Sequence, residues 1–477
     1  MKFNLIAKFA TLAVVLMALV FGLGLIKDVV QDRNAYRNDA ARSVASSIAG
    51  SQNIIGPFMH SACVETWDVK GLDKNMMEER REFMLTALPE TLTVKSSVGI
   101  ESRARSLYAV NVFTLKAQLA AQWPSLEKLK PTPTVKNSRM VCGAPVVMLA
   151  VDDPRGLRSV SLQVDGEAHK FKAGTFHPSY SRGVHAMLPD VIRHKTGTVT
   201  VDIHLELVGT QQLSIVPLAD TTQVRMQSSW PHPSFGGRFS PAERTISDNG
   251  FDASWRITSM ASNAGQAVVQ AQPVCSGSES GDDTPTVSAA AAATVAVASA
   301  SSTPQASVVA CAETLQVGFV DPVNPYSLSD RATKYGLLFI ALTFLVVGLF
   351  ELIHKLRVHP VQYFLVGCAL SIFFLLLVSL SEHLNFALAY AVAAAGCVSL
   401  LAFYASHMLG GLKRGIPFGA GAALLYGLLY VLLQLEQTAL VVGSIALFVI
   451  LALVMALTRK FDWYQMGAGL QNQRGSM

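Results

Sequence analysis

The sequence has no C-x-x-C pair, no G-x-x-x-x-G-K-[ST] loop, no G-x-G-x-x-G fingerprint, no H-E-x-x-H and no G-x-S-x-G. The first absence removes the usual thiol oxidoreductase and zinc-knuckle readings. The others remove the commonest signatures of nucleotide binding, metallohydrolysis and serine hydrolysis. Charge is scarce too. Only 15% of residues are Asp, Glu, Lys or Arg, while 51% are apolar; a soluble domain carries about 25% charged residues. The net charge of +5 is modest and gives no reason to expect nucleic acid.

Charge is most completely missing from six runs, at about 9–26, 335–353, 361–380, 386–408, 416–434 and 437–457. Each is near the ~20 residues that cross a bilayer core. The first follows Lys2 and Lys8, as a secretory signal would. However, Lys27-Asp28 stand where a cleavage site would be expected, which predicts a retained anchor. The loops between the later runs alternate in charge. His354, Lys355 and Arg357 follow the second run, Lys413 and Arg414 the fourth, and Arg459 and Lys460 the sixth. The other two short loops carry Glu382 and Glu436 and no Lys or Arg. Short loops rich in Lys and Arg stay in the cytoplasm. The reading is therefore six transmembrane helices with residues 1–8 and the tail 458–477 cytoplasmic. HKLRVH (354–359) becomes a cytoplasmic turn at the headgroups rather than a ligand set.

Residues 27–334 then lie on the far side, and about 300 residues suffice for a sizeable core. The stretch from Asp28 to about Ile48 reads as a helix rising from the membrane. Beyond it the period becomes two. Val199, Val201, Ile203, Leu205 and Leu207 alternate with Thr200, Asp202, His204 and Glu206. Val160–Val164 and Phe251–Ile257 do the same, and Leu92–Val98 and Leu107–Leu115 are weaker strands. Asp73–Thr86 loosens toward a helical period. The expected fold is thus a membrane protein with an N-terminal anchor, a large mainly-β (α+β) outside domain and a C-terminal bundle of five transmembrane helices.

Two stretches depart from this pattern. SWPHPSFGG (229–237) combines stiff prolines with permissive glycines around Trp230, His232 and Phe235. It reads either as a recognition loop or as a connector whose aromatics plug the sheet. Residues 276–308 are Ser/Ala/Gly/Thr-rich without an aromatic, and read as a flexible insert. Cys63, Cys142, Cys275 and Cys311 all fall outside, in an oxidising compartment, and four cysteines allow three pairings. Cys275 and Cys311 bracket the insert, and a bridge between them would pin its base. Cys368 and Cys397 lie within spans and read as packing residues. His204 and Glu206 share a wet strand face without a third partner, so no metal, cofactor or catalytic set is expected.

Several motifs carry a resemblance. ARSLYAVNVF (104–113), SSWPHPSFGGRF (228–239), GFDASWRI (250–257), DPVNPYSLSDRATKYGLLFIALTF (321–344), RVHPVQYFLVGCAL (357–370), LSEHLNFALAY (380–390) and TRKFDWY (458–464) are similar to stretches of the inner membrane protein CreD family of Gram-negative bacteria. The resemblance covers nearly the whole chain, and the 276–308 insert is its main departure. It implies the bacterial inner membrane, with the large domain periplasmic. It also implies a link to the Cre two-component system, with a histidine kinase or another envelope protein as partner. Envelope integrity, β-lactam response and colicin tolerance come with it, and no catalytic residues do. The first functional reading is a non-enzymatic envelope protein, in which a homo-oligomer is left open. A transporter or channel component is an alternative, though mid-membrane charges are scarce. A periplasm-facing envelope enzyme is another.

Overall fold

The computed structural model describes residues 2–70, 76–105, 108–275, 311–319, 325–353, 359–408, 411–435 and 438–459. They form two compact units, Met1–Asn38 with Val323–Met477, and Asp39–Pro322.

Helix α1 runs without a break from Lys2 to Ser47, so the expected anchor and the expected rising helix are one element. Among the described residues of the second unit seventeen strands follow in the order β1 (Gln52–Lys70), β2 (Met76–Ala87), β3 (Thr91–Arg105), β4 (Tyr108–Trp123), β5 (Arg139–Cys142), β6 (Val146–Val151), β7 (Leu157–Val164), β8 (Glu167–His169), β9 (Lys172–Ala173), β10 (Gly183–Met187), β11 (Val199–Thr210), β12 (Gln212–Ile215), β13 (Thr221–Ser228), β14 (Ser234–Gly237), β15 (Glu243–Ser247), β16 (Gly250–Thr258) and β17 (Leu315–Gly318). The first sheet has the order β14-β17-β12-β1-β6-β10-β9, with β2 and β5 also paired to β1. The second has the order β15-β16-β13-β3-β4-β11-β7-β8.

The two sheets close over one core. The alternation predicted for β11 is borne out: Val199, Val201, Ile203, Leu205 and Leu207 are buried, and His204 is exposed on the outer face. Leu92, Val94, Phe113, Leu115 and Leu119 join them from the second sheet, and Ile54, Met59, Val147, Leu149 and Val317 from the first. Burying each such side chain is worth about 1.5–3 kcal/mol. The indole of Trp123 is buried with its Nε1–H satisfied by the Ala87 carbonyl at 3.1 Å. A third layer covers the other face of the first sheet. Helix α2 (Ala264–Val269) lays Ala264, Ala267 and Val268 on Ile55, Phe58 and Met148.

One expectation is corrected. The sequence predicts a helical period over Asp73–Thr86, but Met76–Ala87 is a strand paired with β1 over twelve residues. Most of β2 is exposed on both faces, so burial imposes no period of two on its sequence.

In the first unit α3 (Pro325–Lys334) and α4 (Gly336–Ile353) meet at a bend of 42°. They are followed by α5 (Pro360–Ser381), α6 (Phe386–Met408), α7 (Leu412–Gln434) and α8 (Ala439–Thr458). By length and composition α1, α5, α6 and α7 can each cross a membrane, and the bent pair counts as a fifth if its two helices form one span; the apolar part of α8, Val441–Ala456, is shorter. Leu19 and Leu23 of α1 belong to the same core as Phe373, Tyr390 and Tyr426 of the bundle. Gly415 and Gly419 let α7 approach α6: a Cβ added there would lie 2.6 Å from Ser406 and 2.7 Å from Ala402. His359 caps α5. Its Nδ1 accepts from the Val361 amide at 3.3 Å, and Gln362 Oε1 accepts from the His359 amide at 3.0 Å. Lys355, Arg357 and Lys460 lie outside the described residues, and Arg459 follows the last turn of α8.

Candidate functional site

Three features of the β-rich domain are built in a way that goes beyond packing. The first is the expected loop. Phe235 lies on the edge strand β14 and turns its ring inward, edge-on to Phe251 at 5.6 Å and to Trp255 at 5.7 Å. Trp230 also packs partly on the sandwich core, and its Nε1–H donates to the His232 carbonyl at 2.7 Å. His232 is exposed. The loop therefore wedges two rings into the end of the sandwich and presents His232 between its two prolines.

The second is the seat of α1. The last helical turn leaves carbonyls without helical partners. Arg155 Nη1 donates to the Ser46 carbonyl at 2.5 Å, while its Nε and Nη2 donate to Asp153 at 2.9 and 2.6 Å. A cation is favourable at this end of a helix. Asp153 accepts from the Gly50 amide at 3.2 Å, and the Arg155 guanidinium holds its carboxyl below the usual range. Gln52 donates to the carbonyls of Asp153 (3.0 Å) and Val208 (3.1 Å). Gly156 is needed here, since a Cβ would lie 2.1 Å from the Val208 carbonyl oxygen. Val44 of α1 packs with Val110, Val112 and Val208 beside this network.

The third is a group of buried imidazoles, His60, His177 and His185, that no local motif signalled. By contrast, His204 and Glu206 sit on the open outer face of the second sheet among Lys95, Lys116, Ser159 and Ser161, and converge with no third ligand. Among the described residues no group of three His, Cys, Asp or Glu side chains is placed to hold a metal ion. Cys63 is joined to Cys142 and Cys275 to Cys311 in the structure, while Cys368 and Cys397 are free thiols.

Apolar helices able to cross a bilayer, on both sides in sequence of a two-sheet domain, define a multi-pass membrane protein with a large β-rich extramembrane part. The chain belongs to the inner membrane protein CreD family, whose model matches residues 4–464. The inner membrane protein CreD of Escherichia coli strain K12 is 32% identical over 465 residues, covering 97% of this chain and 95% of that one. Among solved structures, an M1 zinc metallopeptidase of Deinococcus radiodurans is 10% identical and covers 35% of this chain and 38% of its own, with a TM-score of 0.18. A likeness at that level assigns no chemistry. Family membership makes this a non-enzymatic protein implicated in envelope integrity. It is multi-pass in the inner membrane, with the β-rich domain in the periplasm.

Proposed function

We propose that the periplasmic domain reports the state of the envelope to the membrane helices, and that α1 carries the report. The seat of α1 is the observation that supports this reading. Arg155, Asp153 and Gln52 tie the last turn of a 46-residue helix to β1 and β11, so a shift of those strands displaces the helix end. The output lies on the cytoplasmic side. Both termini face the cytoplasm in this reading, across six spans oriented by Lys355, Arg357, Lys413, Arg414, Arg459 and Lys460. The loops there are short, so the output passes through a partner. By family association that partner is a membrane histidine kinase of the Cre system, and a second copy of the chain is compatible with the same scheme. The Trp230–Phe235 loop is the proposed point of envelope recognition, with His232 as its exposed element.

The test is Arg155→Ala in the full chain in lipid nanodiscs, followed by hydrogen exchange. Amide protection around residues 46–50 should fall about tenfold or more, while β4 and β11 keep theirs. Unchanged protection at 46–50 would mean that the β domain does not hold α1, and the relay would be lost.

A further inference from the structure

His60 (β1), His185 (β10) and His177 (between β9 and β10) meet at one end of the outer layer of the first sheet, with residue exposures of 1%, 3% and 5%. His60 and His177 stand edge to face at 5.7 Å between ring centroids. Tyr180 stacks on His177 at 4.8 Å, Phe58 meets it edge-on at 5.8 Å, and Phe176 covers His185 at 4.3 Å.

The hydrogen bonds set the protonation states. His60 Nε2 lies 2.9 Å from the Thr175 carbonyl and His185 Nδ1 lies 2.7 Å from the Gly174 carbonyl. A carbonyl only accepts, so each of these nitrogens carries the proton. The other nitrogen of each ring, His60 Nδ1 and His185 Nε2, is buried with no partner. His177 uses Nδ1 to accept from the amides of Ser179 and Tyr180, both at 3.3 Å. His60 and His177 are thus held neutral. A second proton on His60 would be buried without an acceptor, and a proton on His177 Nδ1 would cost two amide bonds.

Among the described residues, most groups packed on the rings carry no charge. β6 contributes Val146 and Met148, β2 places Thr86 opposite His60, and α2 has no titratable residue. Tyr180 is the other titratable group at the cluster, and burial pushes its phenol up to about 12. On β9 the register partner of His185 is Lys172. Beside His60, Arg193 donates to Ser61 Oγ at 2.7 Å and pairs with Asp190 at 3.2 Å. The neighbouring charges are therefore mainly cations, and among the described residues no carboxylate bonds any of the three rings.

We propose that this cluster is an acid-sensitive latch: with its rings neutral it holds residues 174–187 on the first sheet, and protonation in a mildly acidic periplasm releases them. The position suits release. β10 and β9 are the last two strands at one edge of their sheet, so they can peel from β6 alone, taking only Val184 and Ala186 out of the margin of the sandwich core. Peeling takes His177 and Tyr180 off Phe58, baring apolar surface beside α2 that a partner could then cover. Burial lowers His60, and burial with His60 alongside brings His177 down to about 4. An unfolded histidine titrates near 6.5. A group lowered on folding contributes stability above its unfolded value and loses it as pH falls toward the folded one. The window therefore lies below pH ~6.5, and each proton taken up changes the opening equilibrium by up to ~tenfold per pH unit.

The latch adds an input to the relay proposed above, and the two can fail separately. On the full chain in nanodiscs, hydrogen exchange corrected for its intrinsic pH dependence should show 174–187 opening progressively from pH 7.5 to 5, with β4 and β11 flat. His60→Gln with His177→Phe should flatten that response. Flat protection of 174–187 in the wild-type chain overturns the latch. Should the double variant not fold, histidine C2 exchange on the wild-type chain decides instead: midpoints below 6.5 for His60 and His177 support the latch, and midpoints at or above 6.5 overturn it. Acid opening of 174–187 with no change at residues 46–50 would keep the latch and remove the relay.

Discussion

Replacing Glu65 with alanine should free residues 131–138 and raise proteolysis there by about tenfold or more. The Glu65 side chain is fully buried on the hairpin arm of β1. One carboxylate oxygen accepts from the amides of Thr134 (2.8 Å) and Val135 (3.1 Å) and from Ser138 Oγ (2.6 Å). The other accepts from Thr134 Oγ1 at 2.5 Å and from Arg81 at 3.0 Å. A loop with almost no buried side chains is thus organised around one anion. The hydroxyls of Ser138 and Thr134, then the backbone amides, bring the carboxyl down to about 2. A glutamine would set an NH2 against these donors and should release the loop as well. The pH sign is the same as for the histidine cluster, but the window lies lower. Glu65 contributes stability above its unfolded value near 4.3, and this is lost only as pH falls from there toward 2. Mild acid therefore leaves this anchor in place while it acts on the histidine cluster. Proteolysis of 131–138 that is unchanged in Glu65→Ala, at neutral pH, would contradict this role.

Loss of the Cys63–Cys142 bridge should cost about 2–5 kcal/mol of the β domain's stability. The bridge joins directly paired positions of β1 and β5, and it closes a separation of 79 residues that includes the β1–β2 and β3–β4 hairpins. The Cys275–Cys311 bridge spans 36 residues. Loop-closure entropy grows only with the logarithm of length, so the two should differ by less than ~1 kcal/mol from that source. Denaturant unfolding of Cys63→Ser/Cys142→Ser and of Cys275→Ser/Cys311→Ser, each against the parent, measures both. Thiol labelling of the denatured wild-type chain supplies the premise: two thiols should react before reduction, from Cys368 and Cys397, and six afterwards. Six reactive thiols without reductant would remove both bridges.

Sequence legibility followed burial. In β11 one face meets the core and the other meets water, so Val199–Leu207 declared itself by alternation. β2 leaves the sandwich as half of a hairpin arm, and MMEERREF carries no such imprint. The distal part of β3, Glu101–Arg105, is exposed for the same reason, which is why the strand outran its expected end at Val98. The membrane helices were legible from the absence of charge, and the bend between Lys334 and Gly336 was not. Ser46, Gly50, Gln52, Asp153 and Arg155 meet through strand pairing rather than spacing, as do His60, His177 and His185. No linear motif can show such sets. In the Trp230–Phe235 loop the stiff residues were visible, but the inward turn of Phe235 depends on Phe251 and Trp255 across the domain.

The central claim is that the periplasmic domain works through a protein partner rather than through chemistry of its own. In-cell photocrosslinking from position 232 in the full chain, with capture products identified by mass spectrometry, tests it most directly. Position 235 serves as the internal control, because its ring faces Phe251 and Trp255 and should crosslink within the chain. The account predicts a specific envelope protein captured from 232 and lost when 232 is left unlabelled. A captured glycan or lipid with no protein would contradict it and move the function to ligand binding or enzymatic turnover.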